Sequence, residues 1–203
     1  ADKYLLTATV RRDGSSRFGS GNKWGIFPSV AASWRISQED FFQNDIMSDL
    51  KLRGGWGKLG NQQLGTDTRS YIEFYPYQSV LSQKNYAFGG TVNQGVAPVA
   101  GANSDLKWET SKTTNIGLDA GFLQNMFTIS VDAYWKKTYD ILMKLPVSTL
   151  YGLEAPYQNA GEVTNKGVEM QLGYKLSKND FTFNVAANIV YNNDEVTNLH
   201  NDG

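Results

Sequence analysis

The sequence predicts an all-β protein made of antiparallel strands. Three observations support this fold class: apolar and polar residues alternate with period two in seven segments, short and long connections alternate between them, and glycine and aromatic residues are abundant without any long apolar run. The chain has 203 residues, including 20 Gly, 5 Trp, 11 Tyr and 10 Phe. No stretch approaches the 18 consecutive apolar residues of a transmembrane helix.

Composition excludes several functional classes. The chain has no cysteine, so a disulfide framework, a thiolate metal site and a cysteine nucleophile are excluded. The 19 basic and 20 acidic residues give a net charge of -1, which provides no basic surface for nucleic acid. At 40% hydrophobic residues the chain is too apolar to be disordered. A soluble β protein and a lipid-facing one both remain compatible with this composition.

Each of the seven segments is predicted to be a strand with one apolar face, since successive side chains of a strand point to opposite sides. The clearest places Phe127, Ile129, Val131, Ala133 and Trp135 on one face, with polar residues between them. In chain order, the other apolar faces lie within residues 4–10, 30–36, 50–56, 116–122, 168–176 and 181–189. The pair Asp13 and Gly14 predicts a turn after the first strand.

The connections favour a barrel in an outer membrane. About five residues around 123–125 join the fourth and fifth segments, and residues 177–180 join the sixth and seventh. Residues 61–105 and 139–160 form much longer connections. Tight periplasmic turns at one end and long extracellular loops at the other are typical of such barrels. The stretch 37–50 is an exception, in which Ser37 is expected to cap a short helix with Asp40 three residues later.

Aromatic residues stand where the girdles of a membrane barrel are expected. The eight steps from Phe127 to Trp135 climb about 20 Å along the axis of a barrel with strands tilted by about 40°, against an apolar band about 25 Å tall. The alternative is that these aromatic residues fill a soluble core. The predicted lipid-facing girdle residues are Phe122, Phe127, Trp135, Tyr174 and Phe181.

The opposite faces carry charge, whereas the apolar faces carry none through their central positions. A Lys or Arg at the bilayer midplane costs about 2–4 kcal/mol, and a position facing the lumen avoids this cost. An ordinary solvated sheet face would look similar strand by strand. The predicted lumen-facing charges are Arg11, Arg35, Arg53, Asp119, Asp132, Lys136 and Glu169.

Seven strands cannot close a membrane barrel alone, because open edges would leave backbone groups unpaired in lipid. Residues 1–203 are therefore expected to be part of a larger barrel. Five strings, at residues 12–19, 24–36, 50–61, 106–118 and 161–169, resemble in order and spacing the barrel of SusC/RagA-like TonB-linked outer-membrane proteins. The resemblance spans essentially the whole chain.

That resemblance implies about seven strands of a 22-stranded barrel in a bacterial outer membrane. It implies import of oligosaccharides or peptides, energy delivered through TonB acting on a plug, and partnership with a SusD-like lipoprotein. The plug, the TonB-contacting segment and the last barrel strand have no counterpart in these residues. No cofactor and no enzymatic activity are expected.

Three other patterns are weak indications of chemistry. Residues 55–60 spell G-x-G-x-x-G, but no helix or βαβ unit follows, so a strand end rich in glycine is the better interpretation. His200 is the only histidine, which is insufficient for a typical zinc site. The carboxylates of Asp119, Asp132 and Glu169 could flank a sugar as in a glycosidase, although salt bridges in a barrel wall explain them better.

The long connections hold the candidate ligand contacts. Aromatic rings interspersed with Asn and Gln suit contact with a sugar, a peptide or a lipoprotein lid, while packing of the loop on its own rings is the alternative. The candidates are Tyr71, Tyr75, Tyr77, Tyr86, Tyr151 and Tyr157. Two other hypotheses stay open from the sequence: a soluble β-sandwich that binds carbohydrate, and a fragment of a β-rich glycosidase.

Overall fold

A computed structural model describes residues 3–64, 74–98 and 100–199. Seven long strands form one antiparallel sheet in the order β1-β2-β3-β6-β7-β10-β11, which confirms the seven predicted strands and the all-β class. They are β1 (Tyr4–Gly14), β2 (Trp24–Arg35), β3 (Met47–Asn61), β6 (Glu109–Phe122), β7 (Phe127–Tyr139), β10 (Glu162–Lys178) and β11 (Phe181–Asn198). No helix of the described residues is long and apolar enough to cross a membrane.

The register of the sheet aligns the apolar stripes of all seven strands. Directly paired residues of an antiparallel ladder point to the same face. One such row joins Leu118 to Leu52 on one side and to Val131 on the other, and Val131 to Met170 beyond it. The sheet therefore has a continuous apolar face and, on its other side, a polar face.

At one end of the strands, here called the turn end, the connections are compact. Residues 123–126 join β6 to β7, residues 179–180 join β10 to β11, and residues 36–46 join β2 to β3. The expected helix is only a 3-10 turn, Ile36–Gln38, whose N-cap residue is Arg35 without a side-chain cap. The prediction that Ser37 caps a helix is therefore wrong, because its hydroxyl donates to Asp49 at 2.8 Å instead.

The opposite end of the strands, here called the loop end, carries the connections 15–23, 62–108 and 140–161. The predicted turn at Asp13 and Gly14 is wrong, because both residues stay in β1 and pair with Gly25 and Trp24. Two small sheets arise within the long connections: a hairpin of β4 (Leu81–Phe88) with β5 (Thr91–Pro98), and a pair of β8 (Leu142–Lys144) with β9 (Tyr157–Asn159). A second 3-10 turn covers Thr149–Tyr151.

Most of the apolar residues lie on a surface rather than in a core. The accessible surface is 14049 Å², whereas a compact soluble protein of 22.6 kDa would expose about 9,500 Å². The buried hydrophobic cluster sits at the loop end and consists of Phe18, Leu64, Leu106, Leu142 and Tyr157. The seven long strands of the described residues all belong to one sheet, whereas a soluble β-sandwich divides its strands between two packed sheets, so the structure favours a barrel wall over that alternative.

Candidate functional site

The apolar face ends in aromatic rings at the turn end of the sheet. Phe122, Phe127 and Tyr174 occupy one row across β6, β7 and β10, and the Phe127 and Tyr174 rings lie 4.8 Å apart. Phe181 begins β11 beside Lys178. Phe122, Phe127 and Tyr174 thus share one row, and Phe181 lies on the same face four residues further towards the turn between β10 and β11. Their contact with lipid remains a prediction.

A tyrosine and a tryptophan that sequence reasoning missed lie on the same face at the turn end of β1 and β2, in the row of Leu52 and Leu118. Tyr4 and Trp34 are paired in register and stack with 6.3 Å between centroids. The Tyr4 hydroxyl and the Trp34 indole N–H both donate to Glu39 Oε1, at 2.6 and 2.9 Å. With a further bond from Lys3, these donors lower the pKa of Glu39 to about 2. The carboxylate is thus ionised at neutral pH and fixes both rings.

A second aromatic row crosses the apolar face towards the loop end. Trp56, Thr114 and Trp135 form it across β3, β6 and β7. Two residues beyond Trp135 on the same face, Lys137 binds Glu162 with 2.6 Å between Nζ and Oε2. Charge thus returns to this face just outside the Trp row, as expected where a barrel wall leaves the bilayer.

Between the two aromatic rows, the strands carry apolar side chains and no charge on this face. The interval holds Ile129, Val131 and Ala133 in β7 and Ile116, Leu118 and Ala120 in β6. The strands are 11 to 18 residues long, and 9 to 11 residues suffice to cross a bilayer. Each strand can therefore span the hydrocarbon region and continue beyond it.

The predicted lumen-facing charges all lie on the polar face. Arg53 is the centre of a network: its Nε and Nη2 donate to the two oxygens of Asp119 at 2.7 and 2.8 Å, and Nη2 also donates to Asp132 at 2.9 Å. Ser130 donates to Asp119 as well, and Lys51 lies 4.0 Å from it. The network ties β3, β6 and β7 together across the wall.

The remaining predicted charges surround this network without joining it. Glu169 pairs in register with Asp132, and Lys136 pairs with Thr113 and Asn165. Arg35 pairs with Lys51 at the turn end, and Arg11 binds Asp13 at 2.7 Å towards the loop end. The carboxylates of Asp119 and Asp132 are engaged by Arg53, which supports their interpretation as wall salt bridges rather than as a glycosidase pair.

Glycine makes room for the network. A Cβ on Gly117 would stand 2.3 Å from Asp132 Oδ1 and 2.9 Å from Arg53 Cζ. In the same way, a Cβ on Gly167 would lie 2.5 Å from the Tyr134 ring, whose hydroxyl donates to Asn192 at 2.9 Å. Long side chains therefore lie flat across glycines on the polar face. The G-x-G-x-x-G string lies within β3, so it opens no nucleotide-binding helix.

The candidate ligand tyrosines differ in how much of each side chain is exposed to solvent. Tyr75 is 45% exposed, Tyr86 55% and Tyr151 72%, and Tyr77 is half-buried. Tyr157 is 7% exposed within the buried cluster at the loop end, so little of its ring is open to a ligand. Tyr71 and His200 fall outside the described residues. The ligand role of these tyrosines stays a prediction.

The cluster at the loop end anchors the long connections to the wall. The Trp108 ring lies 5.3 Å from that of Phe18 and 5.4 Å from that of Phe27. Trp108 thereby joins β2 to the connections 15–23 and 62–108. Its indole N–H is buried without a partner among the described residues. These residues also contain no group of three or more potential metal ligands.

Comparison with known proteins identifies the family. The profile described as "TonB dependent receptor-like, beta-barrel" matches residues 1–203. TonB-dependent receptor SusC of Bacteroides thetaiotaomicron is 42% identical over 202 residues, covering 98% of this chain and 20% of that protein. A TonB-dependent receptor of Formosa agariphila is 36% identical over 199 residues, covering 97% and 18%.

Solved structures agree with this sequence similarity. The structure of the RagAB peptide transporter superposes with a TM-score of 0.84 at 32% identity, covering 98% of this chain and 21% of that one. RagAB in its "open-open" state gives 0.83 at 31% identity, covering 98% and 21%. The chain thus spans about a fifth of the length of these relatives. Residues 1–203 belong to the TonB dependent receptor-like, beta-barrel family and are of the SusC/RagA type.

Proposed function

We propose that these residues are a section of the barrel wall of a bacterial outer-membrane transporter. The observation that supports this proposal is the sheet itself. One face bears an uncharged apolar band between two aromatic rows, and the other bears a network of half-buried charges. In a closed barrel the first face suits lipid and the second suits a polar lumen. The predicted girdle and lumen residues take those roles in this proposal.

The transporter is energised through TonB and imports oligosaccharides or peptides together with a SusD-like surface lipoprotein. Membership of the TonB-dependent family supports the energy source. The similarity to SusC and to the RagAB peptide transporter supports an assembly of this kind. Both substrate classes are retained, because RagAB is a peptide transporter whereas the similarity to SusC indicates no particular substrate. The family is one of receptors, so no catalytic role is proposed for Asp119, Asp132 or Glu169.

The test uses the full-length transporter in its own bacterium. Deleting its gene should abolish uptake of one class of labelled oligosaccharide or peptide, and deleting TonB should abolish the same uptake. Restoring the gene should restore uptake, and the transporter should be recovered from the outer-membrane fraction with a surface lipoprotein bound. Uptake that is unchanged in both deletion strains, or recovery in the soluble fraction, would contradict the proposal.

A further inference from the structure

A polar cavity opens at the loop end of the polar face. Its volume is about 520 Å³, and its lining includes Arg11, Asp13, Arg17, Gln62, Gln63 and Trp108. Arg11 and Asp13 come from the end of β1, and the others come from the connections 15–23 and 62–108. The size lies in the range of small-ligand sites, which are about 300–1,000 Å³.

The two guanidinium groups of this cavity have donors to spare. Arg11 uses Nε to bind Asp13, and its side chain is 74% exposed. Arg17 donates one Nη1 bond to the Gln62 carbonyl at 3.1 Å. A guanidinium carries five N–H donors, so most of those on Arg11 and Arg17 have no partner among the described residues.

Charge and shape at the cavity favour an anion. Arg11 and Arg17 contribute two positive charges and Asp13 one negative, which leaves one positive charge on the lining residues. The planar fork of arginine matches a carboxylate with two parallel hydrogen bonds.

We propose that this cavity is a carboxylate-binding subsite facing the lumen just below the external loops. Arg11 binds the carboxylate, and Arg17 adds positive charge. The inference rests on the proposed transport function, since carboxylate is the anion that peptides and acidic glycans carry. It narrows the substrate class to acidic peptides or to oligosaccharides containing uronic acid.

The test measures binding to the purified full-length transporter by calorimetric titration. Two pairs of probes differ only in the carboxylate: N-acetyl-triglutamate amide against N-acetyl-triglutamine amide, and trigalacturonate against its methyl ester. We expect at least one acidic probe to bind about tenfold or more tightly than its neutral partner. That preference should shrink as salt is added. The pair that shows it identifies the source of the carboxylate.

Two variants locate the effect. Arg11→Gln should remove the preference for the acidic probe. Arg12→Gln is the matched control, because it makes the same change of charge one residue away. Arg12 lies on the other face, with Cζ 4.5 Å from the centroid of Trp24, and its loss should leave the preference intact.

The outcomes separate this inference from the proposed transport function. Equal binding of acidic and neutral probes in both pairs, or an equal loss in Arg11→Gln and Arg12→Gln, would overturn the subsite. TonB-dependent uptake would then still stand on its own measurement. Conversely, a preference that depends on Arg11, in a protein whose uptake does not need TonB, would retain the subsite and reject the transport proposal.

Discussion

At the scale of the residue, Arg53 shows how a wall strand can carry charge. It binds two carboxylates from two neighbouring strands while its guanidinium lies over Gly117. The side chains of Arg53, Asp119 and Asp132 are each 29% exposed, so they are largely withdrawn from water. Charge-assisted bonds offset the loss of hydration only while all the partners keep their geometry.

Gly117→Ala should therefore destabilise the full-length barrel by about 1–3 kcal/mol. The added methyl group would displace Asp132 or Arg53 and leave a half-buried charge with fewer bonds. Destabilisation is measured as a lower temperature at which the folded barrel changes its mobility in a detergent gel.

The control is Gly54→Ala on the apolar face, where the nearest atom to an added Cβ is 3.9 Å away. An alanine at Gly54 should be neutral or slightly stabilising, because glycine in a strand loses more entropy on folding. An equal loss of stability in both variants would contradict the argument about Gly117.

Sequence reasoning could find which face each charge occupies, because alternation alone fixes it. It could not find the partners of Arg53, since these depend on the register of three strands that are far apart in the chain. Tyr4, Trp34 and Trp56 were missed as girdle residues for a similar reason. The register places Trp56 in the row of Trp135, and it places Tyr4 and Trp34 in the row of Leu52, at the turn end of β1 and β2.

At the scale of the element, the turn between β6 and β7 is unusual. Leu123, Gln124 and Asn125 all have left-handed backbone, with φ of 50°, 59° and 64°. This conformation costs roughly 1–2 kcal/mol for a residue other than glycine. The turn is held by hydrogen bonds, including one from the backbone N–H of Gln124 to Ser48 Oγ at 2.6 Å.

Gln124→Gly should stabilise the barrel by about 1 kcal/mol, because glycine adopts this backbone without strain and keeps the amide donor. Gln124→Val should destabilise it, since a β-branched residue is a genuine outlier there. The same detergent-gel melting measurement reports both effects.

Asp180→Gly in the turn between β10 and β11 serves as the control, because Asp180 is not among the residues with positive φ. Glycine at Asp180 should give no gain. A gain at Asp180 as large as that at Gln124 would show that glycine acts through something other than left-handed strain.

The strands were predictable from the sequence, whereas the details of their ends were not. Period-two alternation is visible in the sequence wherever one face of a strand is apolar and the other polar, as in all seven wall strands. Asp13 and Gly14 look like a turn by composition, yet the ladder between β1 and β2 continues through them. The hairpin of β4 and β5 lies outside the wall, where residues 81–98 mix polar and apolar side chains on both faces, so alternation gave no signal.

At the scale of the whole molecule, the turn end and the loop end of the strands differ in a way that implies an orientation of the sheet in the membrane. The turn end has connections of 2 to 11 residues by its strand bounds, while the loop end carries the buried cluster and the long connections. In outer-membrane barrels the short turns face the periplasm and the long loops face the outside. The cavity proposed to bind carboxylate then lies near the external mouth.

Cysteine labelling tests this orientation, because residues 1–203 contain no cysteine of their own. Ser20→Cys and Tyr151→Cys place a thiol in exposed positions at the loop end, and Asp180→Cys places one at the turn end. In intact cells that make the full-length transporter, a membrane-impermeant maleimide should label the first two variants. Asp180→Cys should react only after the outer membrane is permeabilised, and the unsubstituted transporter gives the background.

Each result of the labelling experiment has a structural meaning. Labelling of Asp180→Cys alone in intact cells would invert the wall and place the Arg11 cavity towards the periplasm, which would reject a role in first contact with substrate. Equal labelling of all three variants would mean that the sheet does not separate two compartments. Because the short turns lie at one end of the strands and the long connections at the other, as in outer-membrane barrels, we expect the asymmetric result.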